Sequence, residues 1–445
     1  MDDKSKDSTK SARPELGAKV GNLVRVDIGQ LQMGMYVAEL DRPWLETPFL
    51  MQGFKLRNKA QLRTLERFCE YVYIRSQLAA PKKQPQTVVK TQAPKLTRKA
   101  NKGTMLKHTG RVKTEQKRRI ARSRPAHGIT LPVLEEYPVA ELAYRKGKSE
   151  IKKILHSAQF GQILDTEAAE NVVYSCVESM LRNPNAMIWM SKIKHENEYV
   201  AEHCLNVCIL AIAFGRHLNF DETELQVLGL CGLLHDVGTV RTPKVILNKR
   251  GALTDEEFLV MTQHTIEGHK LLKADGGASP LSIDVALNHH ERPDGKGYPR
   301  GLKAGEISEY ARIIAIIDAY DAMTSERCYS EAVSPVDAQK EIYQSRGKQF
   351  DEEYALAFMQ AIGPYPPGTV LELRNGMVGI VLTGHLKSRH LPTVILSRDA
   401  DKQIIDDKII DLSLTDGGKL GKEFLVKRTL PDGSFGVSVK NYKLG

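Results

Sequence analysis

No two cysteines in this 445-residue chain form a Cys-x-x-Cys pair. The six that exist, Cys69, Cys176, Cys204, Cys208, Cys231 and Cys328, are scattered among mostly apolar neighbours. That excludes a zinc knuckle or a disulfide framework and reads as reduced core thiols. Long apolar runs are missing too. The nearest approach to eighteen apolar residues, Cys204 to Phe214, is too short to span a bilayer. The polar start Met1-Asp2-Asp3-Lys4 lacks the apolar core of a secretory signal, so a cytoplasmic protein is expected. Acid is scarce in one stretch only: between Ala79 and Pro125, fifteen Lys and Arg face the single acid Glu115, a local +14. The whole chain carries +10, so the remainder sums to −4. The basic character belongs to one segment and is not spread over the molecule as a nucleic-acid surface.

A chain of this length accommodates two or three domains. Residues 1–22 are polar and expected to be disordered. The alternation of Val24, Val26 and Ile28, the short apolar runs around Val37 and Phe54, the helical spacing of Leu62, Leu65 and Phe68, and the run from Tyr71 to Ile74 predict a small α+β module over 23–78. Residues 79–135 read as a basic linker with too little apolar surface to order itself, open to an acidic partner, acidic lipid or nucleic acid. Residues 136–363 read as helix after helix. Asp221 with Glu224 and Thr254 with Glu257 have the spacing by which a capping side chain and a Glu three residues on satisfy each other's backbone amides. Residues 364–445 read as a small β-rich module, with Asn375-Gly376 as a two-residue hairpin turn of positive φ. The fold class is therefore mainly α, an all-helical domain flanked by an α+β module and a β-rich module.

The chemistry concentrates in the helical region. His203 lies on the inward stripe of Val200, Cys204, Val207, Cys208 and Ala211, where a lone histidine is ordinarily a hydrogen-bonded core residue. His235-Asp236 ends the apolar stretch 225–234, and His289-His290 ends another at 283–287. Buried unpaired, such groups cost several kcal/mol, a cost that metal coordination offsets. His264 follows the capped start at Thr254, and Asp318 and Asp321 lie i and i+3 in an apolar helix, where two like charges need a cation or base between them. Five imidazoles and two or three carboxylates predict a dinuclear site for hard or borderline ions, Fe or Mn favoured and Zn possible. His235 and Asp236 are the expected catalytic pair, with Asp236 bridging. Two divalent ions against two aspartates leave a positive surplus that attracts phosphate, which makes phosphodiester hydrolysis the natural chemistry. His217 and His269 are expected outside the site, as partly exposed helix residues. Arg312 is open between a structural ion pair and a functional cation.

These motifs have a family resemblance. His235-Asp236, His289-His290-Glu291 and Asp294-Gly295-Lys296-Gly297-Tyr298-Pro299 resemble the HD-GYP domain, a subgroup of the HD phosphohydrolases that degrades cyclic di-GMP, over about 194–351. Residues about 24–77 resemble the small domain of unknown function that often precedes it. The resemblance implies metal ligation by His203, His235, Asp236, His264, His289, His290 and Asp318, and hydrolysis of cyclic di-GMP to pGpG and often to GMP. It also implies substrate contacts at Asp294, Gly297, Tyr298 and Pro299, with Arg327 as the phosphate cation and Asp321 orienting it. Tyr298 is open between stacking on guanine and anchoring its loop. The Gly297-Tyr298-Pro299 loop is further expected to offer a protein contact, for example to diguanylate cyclase (GGDEF) domains, and homo-oligomerisation is left open.

The chain departs from the pattern at three places. Thr239 stands where the family usually has a lysine after His-Asp-x-Gly. Cys328 and Ser330 replace a proline and a second basic residue in the run beginning at Ser325. Tyr199 stands where some members carry a glutamate that supports a third metal, which favours two metals here. The losses at 239 and 330 fall on substrate phosphates and spare every ligand, so the alternative to an active phosphodiesterase is a metal-bearing but weakly active or inactive cyclic di-GMP receptor or interaction protein.

Overall fold

The structure, a computed structural model, describes residues 19–20, 23–41, 54–56, 59–75, 128–193, 199–325, 332–385, 388–442 and 444. The basic segment expected as a linker lies outside them as far as residue 127, and so do Arg327, Cys328 and Ser330. The chain divides into two compact units, Met1–Lys107 and His108–Gly445.

Among the described residues, the first unit is a five-stranded antiparallel sheet with one α-helix. Strands β1 (Lys19–Val20), β2 (Leu23–Asp27), β3 (Tyr36–Leu40), β4 (Phe54–Lys55) and β5 (Tyr71–Arg75) order as β1-β2-β5-β3-β4, and α1 spans Lys59–Phe68. Ile28, Leu31, Val37, Leu40, Leu56, Leu65, Cys69 and Val72 form its core. The expectation of disorder through residue 22 is corrected at Lys19–Val20, which pairs with Val24 and Leu23. Two residues complete a hairpin, a signal too short for periodicity to reveal.

The second unit is helical with a sheet built into it. Its helices are α2 (Val133–Gln159), α3 (Thr166–Arg182), α4 (Pro184–Met190), α5 (Tyr199–His217), α6 (Glu222–Leu234), α7 (Lys244–Leu247), α8 (Asp255–Asp275), α9 (Pro280–Asn288), α10 (Glu309–Met323), α11 (Pro335–Ser345) and α12 (Glu352–Ile362). Both expected capping boxes form, at Asp221 for α6 and Thr254 for α8. Helix α2 begins at Val133, inside the span assigned to the linker, because Glu136 is buried and bonded to Ser179 at 2.6 Å and Arg182 at 2.7 Å, fastening α2 to α3. Helix α5 is long and apolar enough to cross a membrane, yet 83% of that stretch is buried inside the protein. It is the central helix, packed by α6, α2 and α10.

Strands β6 (Val370–Leu373), β7 (Val378–Thr383), β8 (Thr393–Arg398), β9 (Ile404–Asp411) and β10 (Val426–Leu430) order as β10-β6-β7-β8-β9. The β6–β7 turn differs from the expected one: of its residues only Gly376 has positive φ, at 85°, and its N–H donates to the Leu373 carbonyl at 3.0 Å. Gly376 thus acts as the bulge glycine of a longer loop. Nor is the C-terminal part a separate core. Val378, Ile380, Leu382 and Ile395 belong to the same apolar cluster as the helices, Trp189 meets Tyr442 edge to face with centroids 6.3 Å apart, and Tyr137 donates to the Tyr442 carbonyl at 3.2 Å. The opposite face, with Leu371, Val381, Val394 and Leu396, packs on Tyr365, Leu391 and Leu412. A sheet buried on both faces reads as continuous apolar runs, which is why the sequence marks strands here and not what they rest on.

Candidate metal centre

The helix ends and inward faces of the second unit bring all seven expected ligands together. His203 projects from α5, His235 and Asp236 follow α6, His264 sits in α8, His289 and His290 follow α9, and Asp318 comes from α10. Gly238 lets the 3-10 segment Val237–Arg241 press onto α8, since a Cβ there would lie 2.0 Å from the His264 carbonyl oxygen. This seats Asp236 beside His264.

Three of the histidines are aimed by their own helices. Nδ1 of His235 bonds the Gly232 carbonyl at 2.8 Å, that of His264 the Met261 carbonyl at 2.7 Å, and that of His289 the Val285 carbonyl at 3.0 Å. A carbonyl only accepts, so each Nδ1 carries the hydrogen and each Nε2 presents a lone pair inward. Asp236 Oδ1 lies 3.3 Å from His264 Nε2 and 3.6 Å from His289 Nε2, while Oδ2 lies 3.9 Å from His235 Nε2. His264 Nε2 and His289 Nε2 face each other at 3.4 Å, an arrangement of two acceptors that requires a proton or a metal ion between or beside them. His203 Nε2 lies 3.0 Å from Asp318 Oδ1, and His290 Nδ1 lies 3.9 Å from Asp318 Oδ2.

The donors form overlapping groups, each with its atoms within 4.8 Å of one another: Asp236, His264, His289 and His290; His203, His235 and Asp236; and His235, His289 and Asp318. Asp236 belongs to the first two, so it would be available to ions held at either group. His235 Nε2 and Asp236 Oδ1 are buried without a hydrogen-bond partner among the described residues, a costly state that a bound cation removes. The donor set, imidazole and carboxylate with Nδ1 tied to a second group, fits a divalent metal.

The electrostatics agree. Burial pushes His235 down to about 4 despite Asp236 beside it, leaving a neutral imidazole fit to coordinate. Burial likewise lowers His264, and lowers His290 well below the usual range, with help from neighbouring imidazoles. At His203 burial is outweighed by Asp318 and Asp321, which raise it to about 9. Burial works against the charged forms of Asp236 and Asp318, yet the surrounding imidazoles hold both well below the usual carboxylate range. Asp236 likewise raises His289 against the effect of its burial.

The centre opens into a cavity of about 1390 Å³ lined by Asp236, His264, His289, His290 and Asp318, and also by Tyr199, Thr239, Phe258, Gly297 and Tyr298. Of the expected substrate contacts, Gly297 and Tyr298 line it. Tyr298 is partly buried, its ring 4.7 Å from that of His290 and 5.8 Å from that of Phe258. Gly297 packs so closely that a Cβ would meet the Arg292 nitrogen at 2.4 Å and the His290 carbonyl oxygen at 2.5 Å. Pro299 is not part of the lining.

Two of the expected substrate residues are engaged within the protein. Asp294 does not line the cavity: its carboxylate is spent within its own loop, accepting from Arg292 at 2.7 Å and from the Lys296 N–H at 3.1 Å. Asp321 is 1% exposed and bonds His203 Nδ1 at 2.8 Å, which fixes that ring; Arg327, which it was expected to orient, lies outside the described residues. Arg312 is a structural cation, paired with Asp351 at 2.8 Å. His217 and His269 are partly exposed, as expected, and lie in no donor group. The residue that sequence reasoning passed over is Glu291. Buried at 2% exposure, it accepts from the Arg300 N–H at 2.6 Å and the Leu302 N–H at 2.8 Å, clamping the loop that carries Tyr298. Its place directly after His289-His290 was the available signal.

A family profile described as an HD domain matches residues 185–354, and one described as a domain of unknown function (DUF3391) matches residues 23–169. The second match runs past the small α+β unit through α2. A cyclic di-GMP phosphodiesterase of Pseudomonas aeruginosa is 33% identical over 393 residues, covering 88% of this chain and 89% of that protein. A cyclic di-GMP phosphodiesterase of Thermotoga maritima is 37% identical over 36% of this chain and 43% of its own length. Among solved structures, Bd1817, an HDG"Y"P protein from Bdellovibrio bacteriovorus, aligns over 76% of this chain and 98% of its own at 14% identity and a TM-score of 0.43. On the long match to the Pseudomonas protein and the HD-domain profile, the chain belongs to the HD-GYP family of HD phosphohydrolases.

Proposed function

We propose that this chain hydrolyses cyclic di-GMP to pGpG, and onward to GMP, at a dinuclear centre held by His203, His235, Asp236, His264, His289, His290 and Asp318. Nitrogen and oxygen donors without thiolate favour Fe or Mn, with Zn accommodated. The observation that carries the reading is the common orientation of His235, His264 and His289, each with Nδ1 on a carbonyl of its own helix and Nε2 turned toward Asp236. Bound divalent ions supply Lewis acidity toward a phosphodiester and a nucleophile at neutral pH.

The chain's own residues do the rest. Asp236 joins the two donor groups, and Asp321 fixes the ring of His203 through Nδ1. Tyr199 stacks on His203 with centroids 5.5 Å apart, so that no carboxylate stands there for a third ion. Tyr298, kept neutral by burial, and Phe258 offer aromatic walls to a base. A cavity of about 1390 Å³ exceeds the roughly 300–1,000 Å³ of drug-sized sites and suits a cyclic dinucleotide. The substrate of the Pseudomonas relative supports the assignment. Arg327 is retained as a phosphate contact on the resemblance alone. The outer side of the loop 292–303, where Lys296 and Arg300 are exposed, is assigned the contact with a partner such as a diguanylate cyclase domain.

The test is incubation of metal-loaded protein with cyclic di-GMP while pGpG and GMP are followed. Turnover dependent on metal is expected. Thr239 favours the second reading: it lines the cavity and donates to the Asp236 carbonyl at 2.7 Å, and no ammonium stands at that position. Retained binding with no product at micromolar enzyme establishes a receptor instead.

A further inference from the structure

A buried charged pair lies next to the metal centre without belonging to its donor groups. Lys148 Nζ of α2 donates to Glu202 Oε1 of α5 at 3.2 Å, and the two side chains are 15% and 3% exposed. Glu202 stands in the first turn of α5, directly before the proposed ligand His203. One turn along each helix, Tyr144 of α2 donates to Asn206 Oδ1 of α5 at 3.3 Å. Residue numbers rise on one helix as they fall on the other, so the two bonds are rungs of an antiparallel ladder. The helices are close between the rungs: a Cβ on Gly147 would lie 3.0 Å from Val172 of α3 and 3.4 Å from Leu205 of α5.

This ladder bears on His203. Neighbouring residues of a helix diverge by about 100°, so Glu202 faces α2 while His203 faces α10, with Nε2 3.0 Å from Asp318 and Nδ1 2.8 Å from Asp321. Such bonds weaken steeply when misaligned. The start of a helix, where the first N–H groups lack intrahelical partners, is also its least constrained part. Apolar packing holds α5 to its neighbours but is non-directional, and it does not by itself fix where the helix sits along its axis. A hydrogen-bonded charge pair does. Resting on the ligand set proposed above, we infer that Lys148 is a positioning residue, which through Glu202 fixes the first turn of α5 and thereby the place of His203 in the metal centre. Residue 148 lies outside the HD-domain match and inside the match to the domain of unknown function. The geometry of the centre thus depends on a helix that the HD-domain match leaves out.

The experiment titrates full-length, metal-stripped protein with Mn2+ by calorimetry, alongside urea unfolding and, on loaded protein, kcat and KM for cyclic di-GMP. It compares Lys148→Met, Lys148→Arg and the double variant Lys148→Met/Glu202→Met. Lys153→Met serves as control, since Lys153 is exposed and paired with Glu150 at 2.8 Å. Lys148→Met is expected to weaken Mn2+ binding and lower kcat about tenfold, the low end of the cost of losing a ligand's support, with KM little changed. Lys148→Arg keeps most of the affinity. The double variant regains stability, as buried pairs replaced by apolar side chains of similar volume often do, but its Mn2+ affinity stays low because the new contact is non-directional. Recovery of both in the double variant overturns the inference, as does a Lys148→Met protein that loses stability yet binds Mn2+ like the wild type, or an equal loss in Lys153→Met. If Lys148→Met does not fold, Lys148→Arg and the double variant decide by the same criterion. Wild-type protein that binds Mn2+ without turnover overturns the proposed hydrolysis alone, and the Mn2+ affinities still decide. Wild-type protein that takes up no Mn2+, Fe2+ or Zn2+ overturns the ligand set and this inference with it.

Discussion

The floor of the cavity and its rim are built on opposite terms. On the floor, His235 and His289 are sealed from solvent, each ring is fixed through its second nitrogen, and several side chains share the carboxylates of Asp236 and Asp318. Removing any member leaves a buried charge or lone pair without its complement, and such a loss is expensive. On the rim, Arg250 and Lys296 are exposed and come from separate loops of the cavity lining, where water screens their charge. The floor is therefore expected to tolerate almost no substitution, and the rim considerably more. The departure expected at Thr239 falls on the cavity lining and spares the proposed ligands.

The contrast can be tested in order of expected effect. Asp236→Ala should abolish turnover and sharply lower metal occupancy, both measured on anaerobically purified protein, because the shared carboxylate has no substitute; unchanged metal content would remove its bridging role. Asp321→Asn should lower metal affinity or activity by about 10–100-fold, the usual cost of losing a ligand's supporting partner. An effect on KM alone would return Asp321 to the substrate side. Gly297→Ala places a Cβ against the His290 and Arg292 backbone and should cost about 1–3 kcal/mol by urea unfolding, as overpacking does. A neutral result would mean that the loop yields freely. Thr239→Lys in the wild-type background should lower KM by only about two- to fivefold, the range of exposed charge contacts. A raised KM would show that this wall is shaped for a short side chain.

Much of the site was legible because its chemistry contradicts its surroundings. His235-Asp236 and His289-His290 end apolar helices, and a polar pair there demands a partner whatever the fold. Asp321 was only half legible, for the converse reason. Its spacing from Asp318 revealed a shared face, but whether it turned to substrate or to the back of His203 depended on where α5 lay. Asp294 was taken for a contact because it stands in the motif, while the structure uses it to hold its own loop. The helical fold was readable from its caps and periodicity. The union of β6–β8 with the helices was not, because apolar strands look alike whether they cover each other or a neighbour.

That union limits how the molecule can be divided. A cut after Gly363, where a domain border was expected, would remove Val378, Ile380, Leu382 and Ile395 from the helical core. Each buried side chain of this kind contributes about 1.5–3 kcal/mol, so the loss rivals the roughly 5–15 kcal/mol by which a whole protein is stable. The C-terminal sheet therefore cannot be exchanged or deleted as a cartridge. A catalytic fragment made for biochemistry must keep it, and a sequence-guided truncation would report a folding failure as a loss of enzymatic function.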